Sequence, residues 1–116
     1  MHSTFTPSIF RTLLALSLTT AVMSVQAQAV DVVAAEALLQ ANKCSKCHSV
    51  DKQKDGPSFK KTAGKYKGKA DAEAKLFTHL TTAPTVEIDG VKEEHIKIKA
   101  KDDAAIKNLA QYILSR

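Results

Sequence analysis

Apolar positions recur along this chain mostly at helical spacing. Between 32 and 42, Val33, Ala34, Ala37, Leu38 and Ala41 follow that spacing behind Asp31, which can cap the start. They predict a first helix with these five residues on its inner face. Lys43 to Ser58 loses the period and carries Gly56-Pro57, a loop signal. Phe59 to Tyr66 predicts a short helix stopped at Gly68. Asp71 to Thr81 predicts another, capped by Asp71, with Ala72, Leu76, Phe77 and Leu80 inward. Pro84 then breaks the helical pattern. Asp89-Gly90, set among Val86, Ile88 and Val91, predicts a tight hairpin. Ile96 and Ile98 alternate with Lys97 and Lys99, which reads as strand. Behind Asp102 a last helix runs to Ser115, with Ile106, Leu109, Ala110, Ile113 and Leu114 on one face. The first and last helices are expected to pack their apolar stripes together.

The N-terminus carries a different pattern. His2 and Arg11 make a weakly basic start, and an apolar stretch runs from Leu13 through Leu18 to Ala21, Val22 and Val25. Val25-Gln26-Ala27 and Ala27-Gln28-Ala29 both match the small-x-small pattern that signal peptidase reads. Residues 1–29 are therefore expected to be a signal peptide, cleaved after Ala27 or Ala29, with one domain over 30–116. The alternative is a retained membrane anchor, but the stretch is short for a span and broken by Ser and Thr. No second apolar run follows, so no stable membrane insertion is expected after cleavage.

Cleavage leaves about 87 to 89 residues. A chain of that size has a thin core and often borrows stability from a disulfide, a metal or a covalent cofactor. Its only cysteines are Cys44 and Cys47, and a bridge between them closes too short a loop to staple much. The 17 Lys and Arg include only Arg11 in the signal, so 16 bases face 12 acids in the mature part, a charge of +4. Much of the excess is lysine between Lys43 and Lys75. Such a face suits acidic protein surfaces or anionic membranes. Few aromatics and no binding motif argue against nucleic acid.

Cys44-Ser45-Lys46-Cys47-His48 is the decisive motif. Two thiols separated by two residues can add to the two vinyl groups of one haem, and the histidine that follows is placed as an axial ligand of its iron. Two other readings compete. A thioredoxin-like redox pair is expected near a βαβ pattern, which is missing here. A closed zinc site needs four ligands, and no second cysteine pair exists. One haem c per chain, bound through Cys44 and Cys47 with His48 as proximal ligand, is therefore the expected cofactor.

From these residues the chain resembles the small bacterial class I cytochromes c, over nearly the whole mature part. The resemblance implies an all-α cytochrome c fold: about four short helices around one covalently attached haem, with a small hairpin before the last helix. It implies that the carbonyl of Pro57 accepts a proton from the outer nitrogen of His48, and that Tyr112 on the closing helix packs near the haem. It also implies export, since bacterial haem attachment takes place outside the cytoplasm. A periplasmic location is expected.

The sequence departs from the family in one respect. A methionine normally completes the iron, but Met1 and Met23, both in the signal, are the only methionines. His95 stands close to where the family's methionine falls and is the candidate distal ligand. The alternatives are an open, lysine-bound or water-bound position and His79 on the preceding helix. On a regular strand His95 would share a face with Lys97, so its use requires a bulge or loop.

With both axial positions filled, no room remains for substrate. The expected function is a soluble electron carrier between a donor and an acceptor redox protein, not an enzyme. Two imidazoles imply a potential below that of His/Met relatives. Lys43, Lys46, Lys52 and Lys54 surround the motif in sequence and are expected to steer partners with acidic docking surfaces. The alternative is a haem protein with an open sixth position, acting as a small-ligand sensor or a peroxide-reactive enzyme.

Overall fold

The computed structural model describes residues 1–2 and 28–116. Nearly all of the expected signal segment lies outside these residues. Four helices and one hairpin follow: α1 Val32–Ala41, α2 Phe59–Tyr66, α3 Ala72–Thr82, β1 Thr85–Ile88, β2 Val91–Glu94 and α4 Asp103–Leu114. Among the described residues no helix is long and apolar enough to cross a membrane.

The caps explain most of the boundaries. Asp31 accepts from the Ala34 amide, Ser58 from Lys61 and Asp102 from Ala105, each satisfying a donor that the first helical turn leaves free. Asp71 departs from its expected role. Its carboxylate makes no cap bond and pairs instead with Lys75 one turn on, at 2.7 Å. At the hairpin tip Asp89 and Gly90 both have positive φ, 51° and 82°. A two-residue turn matching the strand twist demands this conformation. The antiparallel register places Glu87 opposite Lys92 and Val86 opposite Glu93.

Helix α4 is the centre of the fold and packs against α1, α2 and α3. Its Leu109 and Ala110 are fully buried, and Ile106, Tyr112 and Ile113 nearly so. The partner face of α1 differs from the expected one. Ala35 is fully buried, with Leu38 and Leu39 packed beside it, whereas Val33, Ala34, Ala37 and Ala41 are exposed. Apolar residues surround this helix, so its period leaves the inner face ambiguous, and the small Ala35 lets the helices approach closely. A pair of hydrogen bonds of 2.8 Å ties Asn108 to the backbone N–H and C=O of Asp31 and holds the N-terminal end of α1 to α4.

The strand expected through Ile96 and Ile98 does not form. β2 stops at Glu94, and the chain continues as an irregular segment. Ile98 is 4% exposed and Ile96 49%, so the alternation does not describe one face. The amides of this segment bond to Pro84 and Leu80 rather than to a neighbouring strand.

Candidate cofactor site

Directly after α1, Lys43 takes a left-handed conformation (φ 55°), and Cys44–Lys46 forms a single 3₁₀ turn. The His48 amide bonds back to the Cys44 carbonyl at 2.9 Å. This tight turn gathers Cys44, Cys47 and His48 on one wall of a cavity of about 820 Å³. Cys44 and Cys47 are not joined to one another in a disulfide. Burial, opposed by a backbone hydrogen bond and assisted by Cys47, pushes the Cys44 thiol above its ordinary pKa. Among the described residues no cluster of His, Cys, Asp and Glu is assembled to hold a metal ion by itself.

His48 is held from three sides. Its Nδ1 lies 2.8 Å from the carbonyl of Pro57. A carbonyl only accepts, so Nδ1 carries the proton, and in the neutral ring Nε2 keeps its lone pair. Phe59, the first residue of α2, stacks on the ring at 5.6 Å between centres and 19° between planes. Gly56 supports it from below: a Cβ there would lie 2.8 and 2.9 Å from the two ring nitrogens, inside van der Waals contact. The Gly56 amide donates to the Cys47 carbonyl at 2.8 Å and the Phe59 amide to the Ser49 carbonyl at 2.9 Å, which closes the loop beneath the imidazole.

His95 stands at the end of β2. Its amide donates to the Pro84 carbonyl at 2.9 Å. Its Nδ1 lies 2.8 Å from the carbonyl of Ile96, which fixes the same tautomer as in His48. The two ring centres are 6.1 Å apart, with planes at 55°. His79 on α3 meets His95 edge-on at 4.6 Å. Burial, above all, holds both His79 and His95 below the ordinary imidazole pKa, and the neighbouring imidazoles add to the effect. Both favour the neutral, ligand-competent form.

The remaining walls are apolar. Leu76 and Leu80 come from α3, Leu109 and Ile113 from α4, and Val86 and Ile88 from the hairpin, with Ile98 from the irregular segment. Tyr112 is not among the lining residues. It lies behind Phe59, edge-on at 6.5 Å, and its hydroxyl donates to Glu36 at 3.2 Å. The rim carries Lys43, Lys46, Lys61 and Lys65, while Glu87, Glu93 and Glu94 also line the cavity.

A planar, largely apolar macrocycle suits this space. The volume falls within the range of about 300 to 1,000 Å³ common for cofactor pockets. The two thiols and the imidazole of His48, on a single wall, would hold such a group by two covalent links and one nitrogen ligand. The sequence alone did not reveal the Phe59 stack, the hairpin as a wall, or the part played by Asn42, whose side chain bonds the Lys99 backbone.

Comparison with known proteins agrees with this geometry. A family model described as cytochrome c matches residues 32–116. The crystal structure of the class 1 cytochrome MtoD from Sideroxydans lithotrophicus ES-1 is 55% identical, with a TM-score of 0.71, over 75% of this chain and 97% of that one. Wild-type cytochrome c552 from Nitrosomonas europaea is 29% identical, with a TM-score of 0.55, over 69% of this chain and 96% of that one. No curated protein matches.

Proposed function

Because the chain belongs to the cytochrome c family, we infer that it is a periplasmic electron carrier whose iron is held between His48 and His95. It carries one covalently attached haem c, which supplies one-electron chemistry between the ferrous and ferric states. Cys44 and Cys47 anchor the macrocycle. The Pro57 carbonyl, Phe59 and Gly56 keep the His48 ring upright. Such a bond to the outer nitrogen orients a ligating histidine and raises its basicity.

The observation that carries the distal assignment is the pairing of the two rings. Two imidazoles that would hold one metal ion between them, each nitrogen about 2 Å from it, would have ring centres roughly 6 Å apart. His48 and His95 are 6.1 Å apart. Both have Nδ1 tied to a carbonyl and Nε2 free of its proton. The mature chain has no methionine to compete. With two imidazoles bound, the site has no vacant position for substrate, which supports electron transfer over ligand sensing or peroxide chemistry.

Exposed Lys43 and Lys46 each directly precede one of the two cysteines, and this basic rim suits redox partners with acidic docking surfaces. The mature domain is read as free of the membrane after its signal is removed.

Absorption spectra of the purified protein in both oxidation states test this reading. The oxidised form is expected to be low-spin, without the red charge-transfer band of iron–methionine bonding, and the reduced form to resist carbon monoxide. Rapid carbon monoxide binding would support the open-site alternative instead.

A further inference from the structure

The segment bearing His95 has no strand or helix of its own to hold it. Two backbone bonds anchor it, His95 N–H to Pro84 and Ile98 N–H to Leu80, each 2.9 Å. The third attachment comes from across the cavity. Asn42 Oδ1 accepts from the Lys99 amide at 2.8 Å, and Asn42 Nδ2 donates to the Lys99 carbonyl at 3.1 Å. The other Nδ2 proton goes to Leu38 at 3.0 Å. Two donors and one acceptor are thus all used, a set that neither Asp nor Ser supplies. Asn42 ends α1, lines the cavity and stands two residues before Cys44.

We propose that Asn42 is a positioning residue for the distal ligand: it clamps the His95 segment to the chain that anchors the haem, and so sets how often His95 leaves the iron. The proposal rests on the reading of His95 as the sixth ligand. Its physical basis is direct. Release of His95 requires the segment to swing away, and the Asn42 pair is the attachment on the far side of Ile98. Removing it leaves the two backbone bonds to Pro84 and Leu80 and the burial of Ile98.

The structure contains its own control. Asn108 makes the same kind of paired bond to the Asp31 backbone, at the opposite end of α1. Asn108→Ala removes an equivalent clamp without touching the His95 segment.

The experiment measures the rate of carbon monoxide uptake by the reduced holoprotein, with urea stability alongside. The wild type is expected to bind slowly, limited by loss of His95. Asn42→Ala is expected to bind faster by about tenfold or more, the effect of losing two hydrogen bonds, with its resting low-spin spectrum unchanged. Asn108→Ala is expected to lose comparable stability and bind at the wild-type rate. An unchanged rate in Asn42→Ala overturns the proposal, as does equal acceleration in both variants, which marks general loosening. His95→Ala separates the two readings. Fast uptake in His95→Ala beside slow uptake in the wild type keeps the ligand assignment even where the Asn42 effect is missing. Uptake as fast in the wild type as in His95→Ala overturns both.

Discussion

The imidazoles of His48 and His95 lie 6.1 Å apart across one cavity, and each donates its Nδ1 proton to a backbone carbonyl. The pairing has an electronic consequence. Imidazole is a better donor to ferric iron than a thioether, and methionine ligation raises the potential of a haem. Redox titration is therefore expected to place this protein below His/Met cytochromes of equal haem burial. A potential equal to theirs would count against the distal assignment.

Gly56 is the position where added bulk strikes the site most directly. Gly56→Ala places a methyl group within 2.9 Å of both nitrogens of the His48 ring. The ring must tilt or the loop must move, at a cost of about 1 to 3 kcal/mol, the usual range for overpacking a well-filled site. Chemical denaturation checks the loss. The proximal origin of the strain is checked by a shifted low-spin signal in the oxidised protein. An unchanged midpoint would show that the loop yields freely.

Acid should destabilise the protein through its histidines. Burial holds His79 and His95 below their ordinary values, so the unfolded chain takes up protons first as the pH falls. The stabilisation from their neutral forms is complete above about pH 6.5 and declines as the pH drops below it towards the folded values. With His95 as a ligand, binding to iron would strengthen the same trend, because metal and proton compete for one nitrogen. Urea midpoints measured between pH 8 and pH 5 are expected to fall on the acid side, with a shallower fall in His79→Gln. A midpoint that rises on acidification would contradict the burial argument.

The lysine rim predicts the effect of salt. Lys43 and Lys46 are exposed beside the cysteines, whereas Lys60 is engaged with Asp51 at 2.9 Å and Lys54 with the Ser45 carbonyl. Electron exchange with an acidic redox protein is expected to slow as ionic strength rises through 0.1 M, where charges are screened beyond about 10 Å. The double change Lys43→Glu, Lys46→Glu is expected to slow it further at low salt. Stopped-flow rates that ignore both salt and charge reversal would remove steering from the account.

Local chemistry made much of this fold legible. Asp89-Gly90 announced the hairpin because both residues tolerate positive φ, and Asp31 and Asp102 announced helix starts because their side chains replace missing helical partners. Cys44, Cys47 and His48 declared the site because the chemistry demands that spacing. What stayed hidden depends on tertiary contact. The inner face of α1 was ambiguous because apolar residues surround it, and Ala35 was selected by its fit against α4. The segment after β2 has strand-like alternation but no strand to pair with, and it bends to bury Ile98 and present His95. Nothing local in Asn42 announces a partner 57 residues away. Tyr112 occupies the expected helix and meets Phe59 edge-on, a contact that no local pattern announces.

The choice of distal ligand is tested most directly by electron paramagnetic resonance of the oxidised protein and two variants. The account predicts low-spin iron in the wild type and in His79→Ala, and high-spin iron in His95→Ala. A low-spin signal that survives in His95→Ala and is lost in His79→Ala would contradict it.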